Sequence, residues 1–386
     1  MSEEKIPFWR DDRVLRIAGQ AVIVLILGIV IAVLGTNLNR NFQQLGLNFG
    51  FGFLGRPASF GIGDTPIPFS PTDSYSRAIL VGLLNSLRVM VAGIVLATIL
   101  GIAVGLGRLS DNWLVRQIAT VYVQVWRNTP LLLQLFFWYF AVFLKLPKID
   151  NPLVMPGPIF LTNRGMDIPW PAGTTQTWLG LGFLVAIAIL AALLWRWRTQ
   201  AIAEQGESER ILQLLLIGMA IAAIVALVFG LDWRAPQLDR DAKLIQGGLN
   251  LSPEFASLLI GLTVYTAAFI AEHVRAGIQS VSKGQWEAAR ALGLKPSLVM
   301  RLIVFPQALR VIIPPLTSEF LNLAKNSSLA IAIGYSDIYA VSNTISNQTG
   351  RAMEMLLTVM AAYLTINLII SGGMNKFNNL VQLKER

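Results

Sequence analysis

Eight apolar stretches run through this chain, and they restrict its fold more than any other feature. Lipid offers no water to bond, so a spanning backbone must satisfy its own N–H and C=O groups, and only helices and closed barrels do so. About 18 consecutive apolar residues mark a spanning helix. Stretches of this size fall at about 17–38, 78–106, 119–144, 178–195, 211–231, 254–279, 312–335 and 355–373. The composition agrees, with 54% hydrophobic and only 14% charged residues, where soluble chains are about a quarter charged. The expected fold is an all-α polytopic membrane protein of about eight transmembrane helices.

An even number of spans puts both termini on one side. With the termini inside, segments 1–16, 107–118, 196–210, 274–311 and 374–386 hold 18 of the 31 lysines and arginines, and the longer outer loops hold ten. Positive charge concentrates in cytoplasmic loops, which favours this orientation. The same bias explains the net charge of +9; no basic run interleaved with aromatics suggests nucleic acid. Cysteine is absent, which removes disulfides, thiolate catalysis and cysteine metal sites. No small-residue cleavage site follows the first apolar run, so it reads as a retained span.

Segments 40–76 and 145–177, rich in Gly, Pro and Asn, read as ordered outer loops with short interfacial helices. PLVMPGPIF is one of their apolar patches. No fixed-period repeat is present. Nor do the halves carry the matched interrupted spans of an inverted-repeat carrier, which weighs against a stand-alone ion-coupled secondary transporter, the alternative reading.

Residues 287–306, EAARALGLKPSLVMRLIVFP, form a polar interval between two apolar spans, on the cytoplasmic side by the orientation above. Ser282 and Gln285 make a capping-box pattern that starts a helix at Lys283. Gly293 stops it. Lys295-Pro296-Ser297 turns the chain, and a second helix runs through Val299, Leu302, Ile303 and Phe305 to Pro306. Ala288 and Ala289 permit close approach, while Trp286 and Leu292 offer apolar anchors. Such a helix either docks in a groove of a soluble partner or lies on the lipid surface.

The full spacing resembles the Glu-Ala-Ala loop of permease subunits of ATP-binding-cassette importers, matched at Glu287, Ala289, Gly293, Ile303 and Pro306. The resemblance implies that this loop, with Trp286 and Ala288, couples to an ATPase subunit dimer. The chain has no GxxxxGK[ST] phosphate loop, so ATP and Mg would be bound by that partner and no cofactor by this chain. VWRNTPLLLQLFFWYF at 125–140 is similar to the Arg-Gly-Thr-Pro-Leu-Leu-Val-Gln motif of polar amino-acid permeases, with Asn128 in place of Gly. TAAFIAEHVRAGIQSVSKGQWEAARALG and KNSSLAIAIG fit the same branch. The resemblance covers about 75–375 as the permease domain: a type I core of five helices, one added N-terminal helix, and an insertion at about 145–253 with two more. Residues 1–74 precede this domain and 376–386 form a tail. The layout is similar to acidic and general L-amino-acid permeases. It further implies a bacterial inner-membrane location, a second permease (sister or identical), a periplasmic amino-acid-binding protein and an amino-acid substrate.

Charged groups inside spans cost about 2.5–3.5 kcal/mol each on insertion scales, so each needs a reason. Arg127, Asn128 and Thr129 precede Pro130, which either opens a helix capped by Thr129 or kinks a longer one. Lys325-Asn326-Ser327-Ser328 interrupts the seventh span. Broken helices near the midplane bind amino-acid backbones in other transporters, and bonding to neighbouring helices is the competing role. Arg88 and Glu319 complete the candidate translocation path. Glu272 and Arg275, at i,i+3, suit a structural ion pair first and a gate second, His273 an interfacial site, and Gly101 with Gly105 helix packing. No triad, paired carboxylate or metal cluster points to catalysis.

Overall fold

A computed structural model describes residues 12–44, 49–205, 209–239 and 244–382. Among these residues six helices are long and apolar enough to cross a membrane, and two shorter apolar helices, Leu131–Lys145 and Leu214–Phe229, accompany them. Seven of the eight expected spans each fall on one of these segments, the fifth on the short Leu214–Phe229; the third is divided between the helix Trp113–Asn128 and Leu131–Lys145. Residues 1–11 and 206–208, which belong to two of the expected cytoplasmic segments, lie outside the described residues, as do Arg240 and Lys243.

The packed centre is built on α2 (Tyr75–Gly107) and α7 (Pro253–Gln279), which run side by side in the same direction. Glycine makes this possible. A Cβ at Gly101 would sit 2.6 Å from the Ile270 side chain, and one at Gly105 2.8 Å from Val274. Small residues let helix backbones approach closely in lipid, where apolar side chains gain nothing by avoiding the tails. At 33 residues α2 extends ~50 Å, well beyond the ~30 Å hydrocarbon core, so its ends stand in the polar layers.

Around this pair pack α3 (Trp113–Asn128) and α10 (Phe305–Asn326), and α12 (Ala352–Val381) packs on α10; Leu135, Leu258, Leu262, Ile270 and Leu323 are fully buried in this core. The seventh span starts earlier than expected. α8 (Lys283–Ala291) is followed by α9 (Pro296–Val299), a π-helical turn over Met300–Val304, and then α10 without interruption. Pro306 therefore lies inside a continuous helical run, directly after the π turn, and does not end a short helix. Pro has no N–H to donate, and it falls where the π turn already interrupts the regular helical ladder. α12 continues to Val381, so much of the expected tail is helical.

Three elements were not anticipated. α11 (Ile338–Thr349) fills the interval between the last two spans. The segment 49–74 has a single 3-10 turn, Gly52–Gly55, and is otherwise non-helical, with Phe53 and Ala58 buried under it. The expected interfacial helices of 145–177 are strands. β1 (Leu153–Met155), β2 (Ile159–Thr162), β3 (Gly165–Ile168) and β8 (Leu249–Leu251) form an antiparallel sheet in the order β1-β2-β3-β8. PLVMPGPIF is thus a hairpin, pairing Met155 with Ile159 across Gly157 at φ +90. Inside β3 and β8 nest β4 (Trp170–Pro171) with β5 (Trp233–Arg234), and then the helical hairpin of α5 (Thr175–Gln205) and α6 (Glu209–Phe229). β6 (Gln237–Asp239) and β7 (Leu244–Gln246) form a further pair. α1 (Asp12–Gln44) buries none of its apolar window against the rest of the chain.

Candidate functional site

The sheet and the α8 hairpin mark opposite ends of the molecule, because α7 begins directly after β8 and ends directly before α8. At the hairpin end, α8 starts at Lys283 behind Ser282, as the sequence suggests, but the Ser282 hydroxyl makes no capping bond. The capping box is not closed. The Ser282 carbonyl accepts the Gln285 N–H at 3.1 Å, and the Gln285 side chain accepts from Gln307 Nε2. The stop is as expected: Gly293, at φ +73, donates to the Arg290 carbonyl while Leu294 donates to that of Ala289. These two bonds are the Schellman closure, which satisfies carbonyls that helix ends leave open.

The two faces of α8 differ. Ala289 is buried, and Trp286 and Ile303 pack against the core, so they hold the hairpin to its own chain. Trp286 is therefore not an outward anchor, and Ala289 is not open to the close approach of a partner. The outward face carries Glu287, Ala288 and Leu292, the last 80% exposed. Pro306 is half-buried.

Between the ends, two helices break. The first break separates α3 from α4 (Leu131–Phe136), and Thr129 and Pro130 are extended. Thr129 does not cap α4; its hydroxyl donates back to the Val125 carbonyl at 2.8 Å. Pro130 itself takes the N-cap position. Arg127 and Asn128 are exposed, with the Arg127 guanidinium 5.1 Å from the Phe269 ring centroid. At such distances a cation and a ring attract by about 0.5–2 kcal/mol. A residue that sequence reading passed over closes the break: Gln134, 2% exposed, donates through Nε2 to the carbonyls of Trp126 and Thr129, each at 2.9 Å.

The second break is the passage of α10 into a 3-10 helix over Ser327–Ile333, closed by Gly334 at φ +79. Lys325 is exposed. The Ser327 and Ser328 hydroxyls donate to the Ala324 and Lys325 carbonyls at 2.8 Å each. α4 packs against this 3-10 segment, so the two interruptions are neighbours in space. Glu319 and Asn326 line a cavity of about 190 Å³ with Tyr265, Thr266, Phe269 and Asn322. His273 Nε2 lies 3.1 Å from Glu319 Oε1, so His273 contacts one of the residues of this wall.

Glu272 pairs with Arg275 as expected, and it also bonds Arg108, with Arg127 at 3.9 Å. One carboxylate thus joins α2, α3 and α7. Arg88 belongs elsewhere. Its guanidinium lies 4.8 Å from the Phe255 ring centroid, toward the sheet end. Beside it Asp64 accepts the Ser252 hydroxyl at 2.5 Å, and burial raises the Asp64 carboxyl above the usual carboxylate range. Asp64, Arg164, Ser252 and Glu254 border a cavity of about 390 Å³. Asp337, fully buried, caps α11 by accepting the Ala340 N–H at 2.8 Å, and burial pushes its carboxyl up to about 7. No metal-ligand cluster occurs among the described residues.

These features define a class: a multi-pass helical membrane protein with two broken helices at its centre and a capped helical hairpin projecting from one end. The family of binding-protein-dependent transport system inner membrane components matches residues 211–381. The general L-amino acid transport system permease AapQ of Rhizobium johnstonii is 45% identical over 368 residues, 94% of this chain and 91% of its own. The glutamate/glutamine/aspartate/asparagine transport system permease BztB of Rhodobacter capsulatus is 41% identical over 409 residues, 97% of this chain and 96% of its own. Among solved structures, an amino acid ABC transporter with histidines aligns at a TM-score of 0.47 and 21% identity, over 79% of this chain and 94% of that one. The chain belongs to the permease subunits of binding-protein-dependent ATP-binding-cassette transport systems.

Proposed function

We propose that this permease forms one half of an inner-membrane pathway for polar L-amino acids, acidic and neutral first among them. A binding protein delivers substrate at the sheet end and a second permease, sister or identical, completes the path. An ATPase dimer, which binds ATP and Mg, docks on the outward face of α8. Both termini then lie in the cytoplasm with the hairpin, and the chain itself hydrolyses nothing. The observation that carries this reading is the α8 hairpin, fixed to the core through Trp286, Ala289 and Ile303 while Glu287, Ala288 and Leu292 face outward. It is a rigid handle, and Gly293 allows its sharp turn. The full-length similarity to amino-acid permeases supports the cargo class. The path residues are Arg127, Asn128 and Thr129 at one break, Lys325 to Ser328 at the other, and Glu319 on the cavity wall, with Arg88 at the outer mouth.

The test is uptake into vesicles that contain the whole complex. Acidic and neutral polar L-amino acids should compete with one another in the presence of ATP, and uptake should vanish without it. Uptake that persists without ATP, driven by an ion gradient, would identify a solitary carrier instead.

A further inference from the structure

The break between α3 and α4 frees several carbonyls at once, because Pro130 has no N–H and Thr129 leaves the helical path. In lipid such groups must find donors within the protein. Thr129 Oγ1 supplies one bond, to Val125. Gln134 supplies three: its N–H to the Pro130 carbonyl at 3.2 Å, and its side-chain Nε2 to the carbonyls of Trp126 and Thr129. One amide therefore grips both sides of the gap. Trp126 and Trp138 stack across the same gap, with centroids 6.0 Å apart and planes within 16° of parallel. Arg127 and Asn128, the polar residues just before the gap, are exposed.

We propose that Gln134 is a positioning residue for transport: its amide holds the break in the one geometry that presents Arg127 and Asn128 to the path. The proposal rests on the reading that Arg127 lies on that path. Two details favour a role beyond stability. Gln134 Oε1 is buried and accepts no bond, so the amide is retained for its donors alone. The bridged carbonyls also flank Arg127, whose guanidinium rests over the Phe269 ring but makes no close side-chain hydrogen bond to Glu272. Both Glu272 oxygens are already taken, by Arg108 and Arg275, and Arg127 stands 3.9 Å away, beyond hydrogen-bond distance. Backbone placement, not a strong side-chain bond, therefore sets where the Arg127 charge lies.

A double-mutant cycle in vesicles carrying the whole complex tests this. Gln134→Leu and Gln134→Glu each remove donors, and each should raise the substrate KM about tenfold, as loss of a ~1.4 kcal/mol interaction would, with the amount of purified complex unchanged. In an Arg127→Ala background, Gln134→Leu should add less than about twofold, because the group it positions is gone. Effects that multiply, or a change confined to maximal rate, would overturn the proposal while leaving the path reading intact. An Arg127→Ala protein with normal uptake would sink the path reading and this inference with it. A Gln134→Leu protein that fails to assemble, beside a Gln134→Glu protein that assembles with unchanged KM, would also overturn it.

Discussion

Asp337 shows how one side chain links burial to pH. It accepts the Ala340 N–H at the start of α11 and the Tyr363 hydroxyl at 3.3 Å, yet desolvation outweighs both bonds and lifts its carboxyl to about 7. The folded state therefore holds a proton that the unfolded chain releases near pH 4. Stability from this group is complete below that point and is lost as pH rises toward 7. The melting temperature of the purified protein should fall between pH 5 and pH 7, and Asp337→Asn, which keeps a capping acceptor, should flatten that fall. An equally steep fall in the variant would assign the dependence to other groups. Nothing in the sequence around Asp337 marks it as buried. Its environment is made by α2 and α12, and Ser86 on α2 accepts the next backbone N–H, that of Ile338, from 252 positions away. The His273–Glu319 contact, 46 positions apart, was hidden for the same reason.

Among the elements, α8 was the most legible. Its start and stop depend on residues within a turn of each end, and a glycine with φ above zero leaves a local trace in sequence. The closed capping box failed because the Gln285 side chain found Gln307, across the hairpin. Any side chain with a Cβ at Gly293 is strained by about 1–2 kcal/mol in this backbone region. Changing Glu287 and Gly293 together to arginine should therefore uncouple ATP hydrolysis from uptake, while the chain still inserts in the membrane. Normal coupled uptake by that double variant would remove α8 from the coupling role. The broken third span was half legible: Pro130 announced an interruption, but not that Gln134 would bridge it. The sheet was not legible. Strands of two to four residues are too short to show alternation, and β3 pairs with β8 some 80 positions later. α11 escaped because IYAVSNTISNQT has no apolar run.

Across the whole molecule, the spans and their order were readable because lipid enforces long apolar helices. How they sit together was not, apart from the Gly101 and Gly105 stripe. The insertion shows what that arrangement implies. Its pairings are nested, β3 with β8, then β4 with β5, and the chain enters and leaves the α5–α6 hairpin at neighbouring residues, where the Ala172 N–H donates to the Asp232 carbonyl at 2.8 Å. The fold thus carries its own splice point. Two spans cut out there leave together, so every remaining span keeps its direction, and a tight Asn-Gly turn is enough to rejoin the flanking strands. Replacing residues 173–231 by such a turn should yield a shorter protein that still inserts and still binds its ATPase. Failure to insert would mean that the hairpin is woven into folding. Success would make it an accessory, added to an older transporter without disturbing what was already there.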